Sequence, residues 1–383
     1  MIELEQFKAG QYEKSPTGYT YFVPNRVNDA WIWNNPQINS LLEKAALKLG
    51  ELNSYARLVP NIDLFIQLHV TKEAVISSRI EGTQTRIDEA LLSEADIAPE
   101  RRDDWKEVQN YIKALNKAIK ELETLPISSR LIRNTHKILL GSVRGEHKQP
   151  GEYRNSQNWI GGTSPADAKF VPPHHQYVDE LMGDLENFIH NEEANVPSLI
   201  RIAIAHYQFE TIHPFLDGNG RIGRLLITLF LVDQGILSKP LLYLSTYFEK
   251  NKGLYYDNLT FVRTKHDMIQ WIKYFLLGVE ETAHQTTQTL QKVLILKEKT
   301  EIKININFGR KSNNAIILLN HLFKHPIVDV REVQKVTKVS YKAANDLVND
   351  FTEAKILKET TGQNRNRLFS FDKYLELFIK NRG

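Results

Sequence analysis

The stretch His213-Pro-Phe-Leu-Asp-Gly-Asn-Gly-Arg-Ile-Gly-Arg224 is the part of the chain around which the rest is organised. Gly218 and Gly220 have no side chain, so the backbone there can turn tightly and aim its N–H groups at an anion. Apolar residues at helical spacing follow over 221–234, and Gly235 is a stop signal. The first turn of that helix therefore lies directly after the glycine turn, where free N–H groups and the helix dipole favour phosphate.

The charged side chains of this stretch also suit a phosphate site. Arg221 and Arg224 are three residues apart on the helix, so they point to one side and can grip successive phosphates. Asp217 could hold a divalent metal, since magnesium prefers one or two carboxylates together with phosphate oxygens. His213 precedes the turn and is placed to take a proton from an attacking hydroxyl. The alternative is a helix N-terminus with a polar loop, but the combination of these residue types favours the phosphate site.

The stretch resembles the signature of the Fic (Fic/Doc) family, His-x-Phe-x-(Asp/Glu)-Gly-Asn-Gly-Arg-x-x-Arg, and matches it at every specified position. The resemblance implies a mainly α-helical Fic core that binds ATP with its phosphates on the turn. The ATP-binding residues it implies are Gly218, Asn219, Gly220, Arg221, Ile222, Gly223 and Arg224. It also implies His213 as the general base and Asp217 as the ligand of Mg²⁺.

Length and composition indicate an ordinary soluble protein. The 383 residues allow a main domain and one or two smaller ones, and 42% of them are hydrophobic and 25% charged. A net charge of +3 is too small to argue for nucleic-acid binding by itself. The absence of cysteine excludes disulfides and zinc–thiolate sites and favours a reducing compartment. The N-terminus is not a signal peptide and no apolar run could span a membrane, so we expect a cytoplasmic protein without a membrane partner.

Residues 1–100 are expected to form an amino-terminal lobe. Prolines and aromatic residues over 1–40 predict an irregular arm wrapped on the core. Apolar residues then recur at helical spacing over 39–58 and 61–80, which predicts two helices.

The second of these helices ends in Ser77-Ser-Arg-Ile-Glu81-Gly82. Local physics favours a solvated acid at Glu81, because a glutamate in the last helical turn meets the negative end of the helix dipole. The stretch is similar, however, to the family's inhibitory motif, (Ser/Thr)-x-x-x-Glu-(Gly/Asn). That resemblance implies an inhibitory helix over about 61–82, in which Ser77 and Glu81 are the inhibitory residues and Glu81 forms a bidentate pair with Arg224.

The catalytic core is expected over 101–295 and includes a short β-hairpin. The segment 158–173 has two β-prone pieces around a glycine-rich turn and ends in prolines, which predicts this hairpin. A hairpin with an open edge can recruit an extended peptide by strand addition. Its position is similar to that of the Fic flap, which implies that Lys169, Phe170 and Val171 dock the target protein. A simple connecting hairpin is the alternative.

Three further features of the core are less decisive. The resemblance implies that Tyr255 and Tyr256 contact the nucleotide, whereas an aromatic pair on a helix is more often core, and both interpretations stay open. The stretch Gly151-Glu-Tyr-Arg154 is familiar from Fic cores, but its residues do not reveal their chemistry. His206 lies in the apolar helix 198–209 and is expected to be a core histidine.

Residues 296–383 resemble a winged helix-turn-helix domain. Alternating isoleucines over 297–311 predict a linker or an exposed strand, and three short helices and a hairpin over 356–371 follow. Basic residues that could meet DNA phosphates are Lys335, Lys338, Lys342, Arg365 and Arg367. Neighbouring acids dilute their charge, so a protein-contact module is equally open.

Taken together, the resemblance implies a protein adenylyltransferase that transfers AMP from ATP, with Mg²⁺, to a Tyr, Thr or Ser hydroxyl of a target protein and of itself. Removal of AMP, another phosphate or nucleotide transfer, and a nucleotide-sensing DNA-binding regulator are the alternatives. The sequence does not identify the target protein. It also leaves open whether the chain forms a homodimer and whether the C-terminal domain binds DNA.

Overall fold

A computed structural model describes residues 1–59, 62–141, 146–362 and 367–379, and the fold is mainly α-helical. The amino-terminal arm has four short strands, β1 (Ile2–Glu3), β2 (Gly10–Lys14), β3 (Thr20–Pro24) and β4 (Trp31–Ile32). The prediction of an irregular arm is wrong here, because β2 and β3 pair as an antiparallel hairpin with Tyr12 opposite Phe22. Buried aromatic side chains such as Phe22 and Trp31 hold the arm on the core.

The helices of the lobe and core are α1 (Pro36–Leu58), α2 (Asp63–Ile80), α3 (Ile87–Ala90), α4 (Arg102–Glu121), α5 (Ser129–Leu139), α6 (Val178–His190), α7 (Ser198–Ile212), α8 (Asn219–Asp233), α9 (Ser245–Lys250), α10 (Lys252–Lys265) and α11 (Met268–Asn307). The helix α1 packs along α11, α2 packs on α4 and α9, and α7 packs on α6 and α8. Within the described ranges, no helix is long and apolar enough to cross a membrane.

The centre of the core is the pair α7 and α8. The side chains of α7 are buried from Leu199 to Ile212, as the sequence predicts for an all-round apolar helix. The helix α8 begins at Asn219, two residues earlier than predicted, because Gly218 with a φ of 77° already turns the chain into the helix. The free N–H groups of the first turn therefore include those within the glycine turn itself.

The segment 297–311 is not the predicted linker or strand, because α11 continues as one helix of 40 residues to Asn307. On this helix only Ile304 of the alternating isoleucines is buried, whereas Ile302 and Ile306 are 52% and 74% exposed. The lysine and glutamate residues over 297–303 are good helix formers, so the alternation of the isoleucines did not signal a strand. The domain boundary expected at residue 296 falls inside α11.

Beyond α11 the chain forms a C-terminal unit, residues 308–379, which contains α12 (Ser312–Leu322), β5 (Ile327–Val328), α13 (Val330–Thr337), α14 (Tyr341–Glu353), β6 (Lys358–Glu359), β7 (Phe369–Ser370) and α15 (Asp372–Ile379). The strands pair antiparallel in the order β5–β7–β6. Three helices and a hairpin are thus present as predicted, and the winged-helix assignment stays a prediction. Arg365 lies outside the described residues, and Arg367 contacts Asn345 and Glu359.

The C-terminal unit packs directly on α2. The Phe323 ring lies 5.3 Å from that of Phe65, and the Phe378 ring lies 5.0 Å from that of His69. Both Phe65 and His69 are buried. The N-terminal half of α2 is therefore covered by the C-terminal unit.

Candidate functional site

The signature loop, residues 213–218, joins two buried helices. His213 ends α7 with a φ of 51°, in the left-handed region that residues other than glycine seldom adopt. Such a conformation persists when its surroundings hold it in place. The loop is thus a fixed platform that sets a histidine beside the first turn of α8.

Arg154 and Asn158 hold this platform. The carbonyl oxygen of His213 accepts hydrogen bonds from Arg154 Nε at 2.9 Å and from Asn158 Nδ2 at 3.2 Å, and Asn158 also donates to Phe215 O at 2.8 Å. Burial lowers the pKa of Arg154 to about 10. The Gly-x-Tyr-Arg stretch, whose chemistry the sequence does not reveal, therefore supplies the arginine that positions His213.

The imidazole of His213 is set up as a base. Burial and then the charge of Arg154 lower the pKa of His213 to about 4, so the ring is neutral at pH 7. Its Nδ1 lies 3.3 Å from the carbonyl oxygen of Glu210. Donation of Nδ1–H to that oxygen leaves the lone pair of Nε2 available for a proton.

The side chain of Glu210 is a second acid at the site that sequence reasoning missed. It is 8% exposed, and among the described residues its Oε1 atom has no hydrogen-bond partner. Burial raises the pKa of Glu210 to about 7. A Cβ on Gly223 would lie 2.2 Å from Glu210 Oε1, so this position requires glycine. The missing side chain of Gly223 therefore leaves the space that the Glu210 carboxyl group occupies.

The predicted contact between Glu81 and Arg224 is present. Arg224 Nη2 donates to Glu81 Oε1 at 2.7 Å, while Arg224 Nε donates to Ser77 Oγ at 2.9 Å. The expectation of a bidentate pair is wrong, because only Nη2 of Arg224 donates to Glu81, while Nε donates to the hydroxyl of Ser77 and Nη2 also donates to its carbonyl. Burial would raise the pKa of Glu81, but the charge and hydrogen bond of Arg224 outweigh it and hold that pKa below its usual value.

Glu81 also lies over the start of α8. A Cβ on Gly220 would lie 2.4 Å from Glu81 Oε1 and 3.0 Å from Arg224 Nη1. The carboxylate thus occupies the space above the first helical turn, where an anion is most favoured. One of the chain's own carboxylates fills the predicted phosphate cradle.

The remaining residues of the signature, Asn219, Arg221 and Ile222, are all buried and contact other groups of the chain. Arg221 is buried and pairs with Glu107 at 3.2 Å and with Asp217 at 3.3 Å. The Asn219 side chain bonds the N–H and the carbonyl of Phe215, both at 2.8 Å, so it braces the loop. The side chain of Ile222 is buried, and its N–H donates to Gly218 O at 3.0 Å.

The two tyrosines of α10 differ in their surroundings. Tyr255 is 1% exposed and stacks on Phe248, whereas Tyr256 is 40% exposed. Burial lowers the pKa of His206 to about 3, so His206 is a neutral core histidine as predicted. Its Nδ1–H donates to Gly223 O and its Nε2 accepts from the Tyr255 hydroxyl, both at 2.9 Å. Of the pair, Tyr256 is the one that a ligand can reach.

The flap hairpin forms, with Ile160 bridged to Phe170, but the edge of its second strand is covered. Phe22 N donates to Val171 O at 3.0 Å, and both Phe170 and Val171 are 6% exposed. An open edge at these two residues is therefore a wrong expectation, because β3 of the amino-terminal arm occupies it. Lys169 remains exposed.

Two regions of the chain match Fic/DOC family models. Residues 39–120 match the Fic/DOC family N-terminal region, and residues 126–231 match the Fic/DOC family. The protein adenylyltransferase fic-1 of Caenorhabditis elegans is 27% identical over 210 residues, which are 53% of this chain and 39% of that protein. A probable protein adenylyltransferase of Aquifex aeolicus (strain VF5) is 40% identical over 89 residues, which are 23% of this chain and 26% of that protein.

The fold of the chain has solved counterparts. The crystal structure of a Fic family protein from Desulfovibrio desulfuricans G20 aligns with a TM-score of 0.54 and 18% identity, covering 88% of this chain and 96% of that one. Against the two adenylyltransferases the chain spans well under half of each relative's own length. The two matched regions contain the end of α2 and the whole signature loop, so the chain contains a region similar to the Fic/DOC family N-terminal region and one similar to the Fic/DOC family domain.

Proposed function

We propose that the chain is a protein adenylyltransferase that transfers AMP from ATP to a Tyr, Thr or Ser hydroxyl of a protein. The observation that carries the proposal is a neutral His213 imidazole fixed beside the N-terminal turn of α8. A base next to a built anion site suits attack of a hydroxyl on a phosphate. The names of the two adenylyltransferase relatives support this choice among phosphate-transfer reactions.

The nucleotide phosphates are proposed to lie on the first turn of α8. Asn219 and Gly220 begin α8, so their N–H groups have no carbonyl partner within the helix, and Arg224 is held beside them by Glu81. Arg221 adds positive charge once its pairing with Asp217 loosens. Tyr256 on α10, whose side chain is 40% exposed, is proposed to contact the base or ribose.

In the proposed reaction His213 Nε2 accepts the proton of the target hydroxyl. The hydroxyl oxygen forms a bond to the α-phosphorus of ATP, and the bond from that phosphorus to the pyrophosphate oxygen breaks. The N–H groups of the α8 turn receive the negative charge that builds on the phosphoryl oxygens. Arg154 and Asn158 act on this step by holding the backbone of His213 in place.

Asp217 fits the role of magnesium ligand. Its side chain is 46% exposed at the mouth of the loop, and only its Oδ1 is engaged with Arg221 and Gly218 among the described residues. One free carboxylate oxygen beside a phosphate site is what Mg²⁺ uses. A bound Mg²⁺ would neutralise charge on the phosphates of ATP.

Glu81 is proposed to inhibit the reaction. It holds Arg224 and fills the cradle above Gly220, so a phosphate must displace it before the site is complete. Ser77 keeps the guanidinium in the inhibited position. ATP bound without that displacement would present a misaligned α-phosphate to the hydroxyl.

The test uses ATP labelled at the α- or the γ-phosphate, with the full chain carrying Glu81→Gly. Protein-bound label from the α-position alone is expected, and His213→Ala should abolish it while ATP binding persists. His284→Ala, at an exposed histidine of α11, is the matched control. Label from the γ-position would show phosphate transfer instead. Transfer by the His213→Ala variant at the parent rate would remove His213 as the base.

A further inference from the structure

A stripe of polar side chains runs along α2 from the inhibitory contact into the core. Its members, Glu73, Ser77 and Glu81, lie four residues apart, and this spacing places them on one face of the helix. Arg224 contacts Ser77 and Glu81. Glu73 is 3% exposed, and a carboxyl group is almost never buried to this extent without partners. The partners of Glu73 therefore show what the inner end of the stripe does.

Glu73 joins α2 to two other helices. Its Oε1 accepts hydrogen bonds from the Tyr111 hydroxyl of α4 at 2.9 Å and from Ser245 Oγ of α9 at 2.5 Å, and both donors are fully buried. Its Oε2 has no partner among the described residues, and Glu73 lines a cavity of about 30 Å³ together with His69 and Tyr243. Burial raises the pKa of Glu73 to about 7, and the two hydrogen bonds oppose that rise. With or without a proton on Oε2, Oε1 can accept both hydrogen bonds.

Tyr111 connects Glu73 to Ser77, which lies one helical turn further along the same face of α2. Because the Tyr111 hydroxyl donates its proton to Glu73, its oxygen can accept from a second donor. Burial and the charge of Glu73 raise the pKa of Tyr111, and a side-chain hydrogen bond with Ser77 opposes that rise. Ser77 Oγ in turn accepts from Arg224 Nε at 2.9 Å. The hydrogen bonds thus follow one direction, from the guanidinium of Arg224 to the carboxyl group of Glu73, and bonds in such a series strengthen one another.

We propose that Tyr111 and Glu73 are positioning residues of the inhibited state, which fix the Ser77 hydroxyl so that it holds Arg224 beside Glu81. This inference rests on the proposed function, in which Glu81 inhibits AMP transfer. A serine hydroxyl has three staggered rotamers, and the bond to Tyr111 favours the one in which Ser77 Oγ accepts from Arg224. Without the Tyr111 hydroxyl, the Ser77 proton needs another acceptor, and the guanidinium is held less firmly in the inhibited position.

The decisive variant is Tyr111→Phe, which removes one hydroxyl group and keeps the ring in the core. Loss of one buried hydrogen bond changes an equilibrium by about fivefold, so AMP transfer by the otherwise unchanged chain should rise by about that factor. ATP binding should tighten as well, because Glu81 and the phosphates compete for Arg224. In a chain that already carries Glu81→Gly the inhibitory pair is absent, and Tyr111→Phe should leave both quantities unchanged.

The experiment measures transfer from α-labelled ATP, and ATP affinity by calorimetry, for the full chain with Tyr111→Phe, with Glu81→Gly, with both changes and with neither. Tyr374→Phe is the matched control, because Tyr374 is also fully buried and donates its hydroxyl to Phe323 O at 3.2 Å in the C-terminal unit. It should change neither quantity. Glu73→Gln keeps an acceptor at Oε1 and should keep the inhibition, whereas Glu73→Leu should behave like Tyr111→Phe. Urea unfolding establishes that each chain is folded under the assay conditions.

Other outcomes overturn the inference. Equal transfer by the parent chain and by Tyr111→Phe, while Glu81→Gly is active, would reject the positioning role and leave the proposed function standing. A rise by the same factor with and without Glu81, or a rise in Tyr374→Phe, would show a general loosening of the core and reject the role as well. If Glu81→Gly binds ATP but labels no protein, the adenylyltransferase function is rejected and the ATP affinities decide alone. Tyr111→Phe should then tighten ATP binding only where Glu81 is present, and unchanged binding would reject the role.

Discussion

Two carboxylates lie against the N-terminal part of α8, Glu81 at Gly220 and Glu210 at Gly223, and they differ in exposure, pairing and pKa. Glu81 comes from the end of α2, is 36% exposed and pairs with Arg224, which holds its pKa below the usual value. Glu210 comes from α7, is buried without a partner for Oε1, and has a pKa raised to about 7. The comparison shows that an arginine partner keeps a buried carboxylate charged, whereas burial without such a partner favours its neutral form.

The two acids are therefore expected to act in opposite ways. On the proposed function, Glu81 competes as a charged group for the phosphate site, and removing it should release activity. Glu210 is close to half-protonated at pH 7, and its effect should be on stability and on pH dependence. Each of the following changes acts on one member of the pair.

The largest effect is expected for Glu81→Gly. Freed from its partner, Arg224 can meet the γ-phosphate, and the α-phosphate becomes aligned, so AMP transfer should rise by about 100-fold. The measurement is label transfer from α-labelled ATP at matched protein concentration. Glu81→Asp should raise transfer less, because a shorter carboxylate weakens the hold on Arg224.

The control for this release is the double change Glu81→Gly with Arg224→Ala. It should be inactive, because the arginine that the release frees is then missing. Labelling by Glu81→Gly no faster than by the parent chain would make Glu81 an ordinary surface acid. Full activity of the double variant would show that Arg224 has no part in binding the phosphates.

Glu210→Gln should change how stability depends on pH. A carboxyl with a folded pKa of about 7 and an unfolded pKa near 4.3 binds more protons when folded, so the chain loses stability as pH rises between these values. The loss can reach about 4 kcal/mol, and Gln, which does not titrate, should remove it. Urea unfolding of both chains at pH 5 and pH 7.5 measures it. Equal pH dependence in the two chains would show that Glu210 is ionised at both pH values.

Gly223→Ala should lower the stability of the fold by crowding the Glu210 side chain. The new methyl would lie 2.2 Å from Glu210 Oε1 inside a packed helix interface, and overpacking of this kind costs about 1–3 kcal/mol. Gly183→Ala in α6 is the matched control, since no atom lies within 4 Å of the added Cβ there. That control should be neutral or slightly stabilising. A Gly223→Ala chain as stable as the parent would mean that Glu210 moves away without cost.

The signature loop and the contact of Glu81 with Arg224 could be predicted, because both follow from residue patterns that are continuous in sequence. Arg154, Asn158 and Glu210 could not be given their roles in the same way. Arg154 and Asn158 bond backbone carbonyls, which every residue has, so the sequence carries no mark of the acceptor. The importance of Glu210 comes from its burial, and the helix pattern around it shows only that α7 is apolar.

Long-range packing explains the errors in the fold. The flap edge was expected to be open, but Phe22 and Val171 are far apart in sequence, and no local pattern shows that they pair. In α11 the alternating isoleucines have the spacing of a strand, although their lysine and glutamate neighbours and the burial of Ile304 fit a helix. Contact of the C-terminal unit with α2 likewise depends on aromatic side chains from distant segments.

The smallest effect is expected on the free energy of unfolding of Glu81→Gln, which removes the charge of Glu81 and keeps the size of its side chain. Its folded pKa lies below the unfolded value, so the charge contributes stability above about pH 4.3, and this contribution is lost as pH falls through the folded pKa. Because the side chain is 36% exposed and water screens the pair, Glu81→Gln should cost about 0.5 kcal/mol at pH 7. Urea unfolding at pH 7 and pH 3.5, with the exposed acid Glu123→Gln as control, measures the difference. The cost should shrink toward pH 3.5, opposite in sign to the Glu210 series. A cost that grows on acidification would mean that burial, and not Arg224, governs the charge of Glu81, and the contrast between the two acids would fail.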